Sequence, residues 1–368
     1  MFDFIFRKNT FLGVDIGTAS IKIVELKVIE GRPILSNYAW MPLSEDILEK
    51  GINSDYAYAL LPQYIKRIIK KAGFGTRNAF VSLPAFGGLI TLIDFPEMAE
   101  QDMEQAIKFE AHKYIPTSLD EVVISWEVVE KKSAKIASKD TVVDKSDTTL
   151  KVLLVAASKN KVLKYENLIE AAGLKLKSVD IEAFSAVRSL VGNDSGCFII
   201  IDIGSKACNI ILVEKGIIRI NRNIDAGGMD LTKTISKGMV IDFERAEALK
   251  ISGTNFFDSK SSVSFFTMEL LTGEVERIVR TYLRDGEKKA IDEIILSGGT
   301  ANMVGLAEYF SNKLKIKTVI GNPLAKISYD SKLEKAVSKI RTGFSVAIGL
   351  TLKGVDEYLK KEAKIIKK

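Results

Sequence analysis

One turn sequence occurs twice in this chain of 368 residues, and the duplication restricts the fold more than any other feature. The first copy reads Phe11-Leu-Gly-Val-Asp15-Ile-Gly17-Thr18-Ala19-Ser20-Ile-Lys22, the second Phe198-Ile-Ile-Ile-Asp202-Ile-Gly204-Ser205-Lys-Ala-Cys-Asn209. Asp15 and Asp202, Gly17 and Gly204, and Thr18 and Ser205 each stand 187 residues apart, and the flanking apolar runs keep that offset. Each copy predicts a buried strand, a tight turn and a returning strand. A single Asp-Ile-Gly is an ordinary β-turn. Two at one spacing predict related half-domains that face each other across a cleft.

The residue types suit phosphate. A glycine at the tip removes Cβ, so backbone N–H groups can approach and cradle an anion. The Thr18 and Ser205 hydroxyls add donors, and Ala19, Ser20 and Lys22 complete the first cradle. Asp15 and Asp202, at strand ends, are placed to hold a hydrated Mg²⁺, a hard ion that prefers carboxylate and water oxygens. Three further segments fall where such a cleft would use them. Gly227-Gly228 precedes a helical pattern and can meet a ligand at a helix N-terminus. Ser297-Gly298-Gly299 ends an apolar strand, with a helix expected from about Asn302. Glu247 and Lys250 share one helix face that can reach a ribose. Taken singly, these segments also read as a loop, a strand-to-helix turn and a surface ion pair.

Composition removes several other chemistries. The chain has one histidine, His112, and two cysteines, Cys197 and Cys208, too few for a Cys/His zinc site or a disulfide scaffold. His112 falls inside an amphipathic pattern and reads as a helix-surface residue. No run of apolar residues is long enough to span a bilayer, and the start lacks a cleavage signal. A soluble cytosolic protein is the expectation. The net charge of +6 owes much to lysines in the last nine residues, and no basic stripe is interleaved with aromatics, which argues against nucleic acid.

The two hairpins and the Ser297-Gly298-Gly299 turn resemble the phosphate-1, phosphate-2 and adenosine motifs of the actin superfamily. Asp180-Ile-Glu182-Ala-Phe-Ser-Ala resembles its first interdomain connecting helix, and Gly343-Phe-Ser-Val-Ala347-Ile-Gly349-Leu its second. Within the superfamily, Val81-Ser-Leu-Pro84-Ala85, Ile93-Asp-Phe-Pro96 and Glu110-Ala-His-Lys-Tyr114-Ile-Pro116-Thr-Ser-Leu-Asp120-Glu-Val resemble the PilM family of type IV pilus assembly. The similarity runs over nearly the whole chain. It implies an α/β, actin-like (ribonuclease H-like) two-lobed ATPase fold with an inserted α+β subdomain, 1C. The implied boundaries are 1–80 (1A), 81–176 (1C), 177–195 (1A), 196–230 (2A), 231–290 (2B), 291–342 (2A) and 343–368 (return to 1A).

The resemblance further implies ATP with Mg²⁺ in the cleft, slow or no hydrolysis, and Glu182 as the group that would position water. It implies a place at the cytosolic face of the inner membrane, reached through a partner: the cytosolic N-terminal segment of a PilN-like membrane protein, bound by residues within 81–176. Pilus platform and motor components would be the wider partners. A type II secretion or competence platform would use the same part. An FtsA-like division filament and a small-molecule kinase are the alternatives, although the last helix, expected over 355–366, lacks the linker and the Trp or Phe of a membrane anchor. In the insert, helices are expected over 101–114 and 161–172 and strands over 122–129 and 150–157. The polar stretch 131–149 reads as a mobile hairpin loop.

Overall fold

The computed structural model describes residues 9–115, 117–132, 149–258, 261, 263–284 and 290–366. It divides into two compact units, one of Met1–Ala85 with Glu166–Lys368, the other Phe86–Tyr165.

Two five-stranded sheets organise the larger unit. Strands β1 (Thr10–Ile16), β2 (Ser20–Ile29), β3 (Arg32–Pro42) and β4 (Asn78–Leu83), with helices α1 (Glu45–Lys50) and α2 (Asp55–Ala72), come before the insert. In the insert lie β5 (Gly88–Pro96), α3 (Glu100–Ala111), β6 (Val122–Lys132) and β7 (Thr149–Ser158), and α4 (Lys159–Ala171) leads out of it. Then follow β8 (Lys175–Ile181), α5 (Glu182–Leu190), β9 (Cys197–Ile203), β10 (Cys208–Glu214) and β11 (Ile217–Ile224). The remainder is α6 (Gly228–Met239), α7 (Phe243–Ile251), α8 (Phe266–Leu283), β12 (Glu293–Ser297), α9 (Leu306–Leu314), β13 (Thr318–Ile320), α10 (Glu334–Ile340) and α11 (Ser345–Ile366).

The strand order is β3-β2-β1-β4-β8 in one sheet and β11-β10-β9-β12-β13 in the other. In both, the first three strands pair antiparallel and the last two join parallel. The sequence repeat is thus a repeat of topology. Asp15 pairs with Lys22 across the first hairpin, and Asp202 with Asn209 across the second. Each sheet has its own core. Ile199, Ile201, Ile210 and Leu212 pack with Leu231, Leu271, Val275 and Phe310 in the second lobe, and Val24, Leu26 and Phe80 with Ala347, Ile348 and Leu350 in the first. Helix α2 shows why such segments fold locally. Ser54 accepts from Ala57 N–H at 3.2 Å to cap its start, Leu61, Ile65, Ile68 and Ile69 form its buried face, and Gly73 ends it in the left-handed region.

Helix α11 packs on β1 and on α5 through positions where a side chain is not tolerated. A Cβ on Gly13 would lie 2.1 Å from the Ala347 carbonyl oxygen, and one on Gly349 only 1.9 Å from that of Ser185. The second connecting segment and the terminal helix, expected as separate pieces, are one continuous helix. Tyr358 and Leu359 pack against the first-lobe core, whereas Ile365 is exposed.

The insert is a three-stranded antiparallel sheet, β5-β7-β6, with α3 supplying Met103, Ile107 and Ala111 to its core. It is shorter than the expected 81–176, because Val81–Leu83 and Lys175–Leu176 are strand residues of the first large sheet. Helix α3 ends three residues early: Lys113 and Tyr114 N–H groups donate to Glu110 and Ala111, tightening the chain into a turn, and His112 is exposed just beyond the helix. The expected loop over 131–149 falls largely outside the described residues, as do the aromatic start and the last two lysines. Among the described residues no helix is long and apolar enough to cross a membrane.

Candidate functional site

Both hairpin turns close in the same way. Gly17 N–H donates to the Ser20 carbonyl at 3.1 Å, and Gly204 N–H to that of Ala207 at 3.0 Å. A Cβ on Gly17 would approach the Ser20 oxygen to 3.2 Å, and one on Gly204 the Ala207 oxygen to 2.9 Å. These glycines therefore make the turns tight, while their own amides are spent inside them.

Each strand-end aspartate has a serine on the neighbouring parallel strand. Ser82 Oγ donates to Asp15 Oδ1 at 3.1 Å. Ser297 stands opposite Asp202 in the β9–β12 register, and its hydroxyl bonds with Ser345 Oγ at 2.6 Å. Burial pushes the Asp202 carboxyl up, opposed by the Ser297 hydrogen bond and the Lys22 charge, while Asp15 adds to the rise. Lys22 Nζ lies 3.4 Å from Asp15 Oδ2. Glu182, the first residue of α5, accepts from Ala85 N–H at 3.0 Å. Burial above all, then the charges of Asp15 and Asp202, push Glu182 up to about 8, against the Ala85 hydrogen bond and Lys22. Three carboxyl groups thus share one close ammonium, a surplus of negative charge that suits a cation.

The remaining expected residues gather around the second turn. Gly228 and Met229 N–H groups donate to the Gly204 and Ser205 carbonyls at 2.9 Å each, and Gly227 N–H donates to Asp230 Oδ2 at 3.0 Å. The α6 N-terminus, expected to meet a ligand, spends the Gly228 and Met229 amides on the turn and that of Gly227 on Asp230. A Cβ on Gly227 would lie 2.6 Å from the Ser205 oxygen, so glycine is needed for that approach. Lys250, 8% exposed, donates to Gly228 O at 3.0 Å, Thr232 Oγ1 at 2.8 Å and Glu247 Oε2 at 2.7 Å. Its ammonium is a buried tie between α7 and the first turn of α6, and neither a surface pair nor an open ribose contact; Glu247 is the more accessible partner.

Gly298, with φ of +88°, packs onto β9, where a Cβ would sit 2.3 Å from the Ile203 oxygen. Ser297 is fully buried, and its hydroxyl is engaged by Ser345 at the start of α11. Gly299 has open space where its Cβ would be. The helix expected from Asn302 begins only at Leu306, after Gly305 in the left-handed region. Gly343 joins the two lobes: its Cβ would lie 3.9 Å from Gly299 Cα and 4.0 Å from Lys22 Cε.

One residue escaped the sequence reading. Asn209 is 7% exposed, and its side-chain oxygen has no hydrogen-bond partner among the described residues. It stands opposite Asp202, as Lys22 stands opposite Asp15, and it keeps the same offset of 187 from Lys22. That offset was the available signal. An orphaned buried acceptor beside Asp202 fits a group that brings a cation or donor of its own. Among the described residues no three Asp, Glu, His or Cys side chains converge to hold a metal directly. Carboxylate and carboxamide oxygens such as those of Asp15, Asp202 and Asn209 suit a Mg²⁺ that keeps its waters.

Comparison with known proteins gives a consistent assignment. The description "Type IV pilus assembly protein PilM" belongs to the family matched over residues 13–355. The solved PilM-PilN type IV pilus biogenesis complex superposes with a TM-score of 0.75 at 23% identity, covering 94% of this chain and 98% of that one. The ethanolamine utilization protein EutJ from Carboxydothermus hydrogenoformans gives 0.51 at 18% identity, covering 93% and 89%. The cell division protein FtsA of Staphylococcus epidermidis is 22% identical, over 92% of this chain and 80% of its own length, and that of Streptococcus pneumoniae serotype 2 is 23% identical, over 82% and 73%. The duplicated sheets are those of an actin-like fold, and with a family match spanning nearly its whole length the chain belongs to the PilM family of type IV pilus assembly proteins.

Proposed function

We propose that this chain is a nucleotide-binding scaffold of the type IV pilus inner-membrane platform. ATP with Mg²⁺ would lie between the two hairpin turns, and the insert would grip the cytosolic N-terminal segment of a PilN-like membrane protein. The carrying observation is the pair of matched cross-strand positions, Asp15 with Lys22 and Asp202 with Asn209, whose side-chain oxygen has no partner among the described residues. When bound, Mg²⁺ would offset phosphate charge. Asp15 and Asp202 would hold its waters, Asn209 would accept one further hydrogen bond, and Lys22 would turn from Asp15 toward phosphate. Thr18 and Ser205 would donate to phosphate oxygens. Glu182, fixed by the Ala85 amide, would orient a water if hydrolysis takes place. Gly299, with its open flank, would leave room for the nucleoside.

The partner reading draws on the name of the structural relative, a PilM-PilN complex, and on the insert's own sheet, whose outer strands β5 and β6 are edges of that sheet. An extended peptide can add to such an edge. Attachment to the cytosolic face of the membrane would then run through the partner. Calorimetry tests the nucleotide claim: Asp202→Ala should weaken Mg·ATP binding by tenfold or more, and unchanged affinity would remove Asp202 from the site. A PilN-like N-terminal peptide bearing a photo-crosslinker tests the partner claim. Crosslinks confined to residues outside 81–176 of the full chain would overturn it.

A further inference from the structure

Lys206 sits in the second turn, between the Gly204 and Ala207 positions that close it. Its side chain is half-buried, and its ammonium donates to the carbonyl oxygen of Leu48. Leu48 lies in the last turn of α1, where carbonyls have no partner within the helix. Helix α1 in turn is carried by the first hairpin: Leu43 N–H donates to the Ala19 carbonyl at 2.9 Å, and Pro42 pairs with Ser20. A side chain from the second phosphate turn therefore reaches a segment built on the first. Among the described residues Leu48 is the acceptor found for this ammonium, which leaves two of its three donors for an anion.

We propose that Lys206 is a positioning residue that clasps the two turns together and retains a polyphosphate between them. This rests on the nucleotide reading above and goes beyond it by naming what resists release. An anion between the turns adds a second partner to the ammonium while the Leu48 bond stays in place. Occupancy and closure then reinforce each other, and the coupling is reciprocal. A simple helix cap would support α1 equally with or without phosphate.

The test compares Lys206→Met, which keeps the stem without the charge, with Lys206→Arg, which keeps the charge, both in the full chain. Stopped-flow release of a fluorescent ATP analogue with Mg²⁺ should be about tenfold faster in Lys206→Met and close to wild type in Lys206→Arg. Binding of the same fluorophore on adenosine, which lacks phosphates, should be unchanged in both. Spin labels at the exposed Lys70 and Asn312, one on each lobe, should report a broader distance distribution in Lys206→Met. Wild-type release rates in Lys206→Met, or equal weakening of the adenosine probe, would overturn the clasp. A wild-type chain that binds no ATP analogue would instead overturn the nucleotide reading, and the retention role with it.

Discussion

Replacing Glu182 by glutamine removes a titrating proton while keeping the side chain's shape and an acceptor for the Ala85 amide. In the folded chain this carboxyl is pushed from an ordinary 4.5 up to about 8. Between those values the folded state holds a proton that the unfolded state has released. Stability supported by that proton is fully present at low pH and is lost as pH rises, by about 1.4 kcal/mol per unit. From pH 5.5 to 7.5 the wild-type chain should therefore lose on the order of 2–3 kcal/mol that the Gln variant keeps, an upper bound since solvent reaches part of the side chain. The assay is urea unfolding followed by circular dichroism, without nucleotide or Mg²⁺, at several pH values in that window. The two proteins should agree near pH 5 and diverge steadily above it, with the variant more stable. Parallel curves across the window would refute the picture of a protonated Glu182 crowded by Asp15 and Asp202.

Binding of Mg²⁺ alone at pH 7 should expel that proton, because the added dication favours the ionised form; calorimetric enthalpies should differ between buffers of high and low ionisation enthalpy, and equal enthalpies would count against it. Gly349→Ala should cost about 1–3 kcal/mol in thermal unfolding, since its methyl group would meet the Ser185 carbonyl; a neutral result would mean α5 and α11 separate easily. Asn209→Leu should stabilise the ligand-free chain by about 1 kcal/mol, by replacing an orphaned buried acceptor, and weaken Mg·ATP binding. A variant destabilised without ligand would show that the carboxamide has a purely structural role.

The sequence exposed whatever the repeat and the apolar periodicity encode. Both hairpins, the pairing of the lobes and the small residues of α11 follow from residue type and spacing. Hydrogen-bond allocation does not. Gly227-Gly228 ahead of a helix reads as an anion site, yet the Gly228 and Met229 amides are taken by the Gly204 and Ser205 carbonyls, a contact between segments whose spacing says nothing of distance, and that of Gly227 by Asp230. Lys250 likewise reads as a surface cation until Gly228 and Thr232 are found around it. The start of α9 is misplaced because Gly305 takes a positive φ that no local pattern demands. Asn209 was missed because an amide in an apolar strand carries no motif, although its offset from Lys22 was available.

At equivalent register positions one hairpin carries an ammonium and the other an uncharged amide. Two identical loops would accept a linear polyanion in either direction with equal ease. Here the ammonium stands on the returning strand in one hairpin and in the turn itself, on Lys206, in the other, so the two orientations of a bound polyphosphate would differ in energy, and each of its ends would have a set half of the molecule to meet.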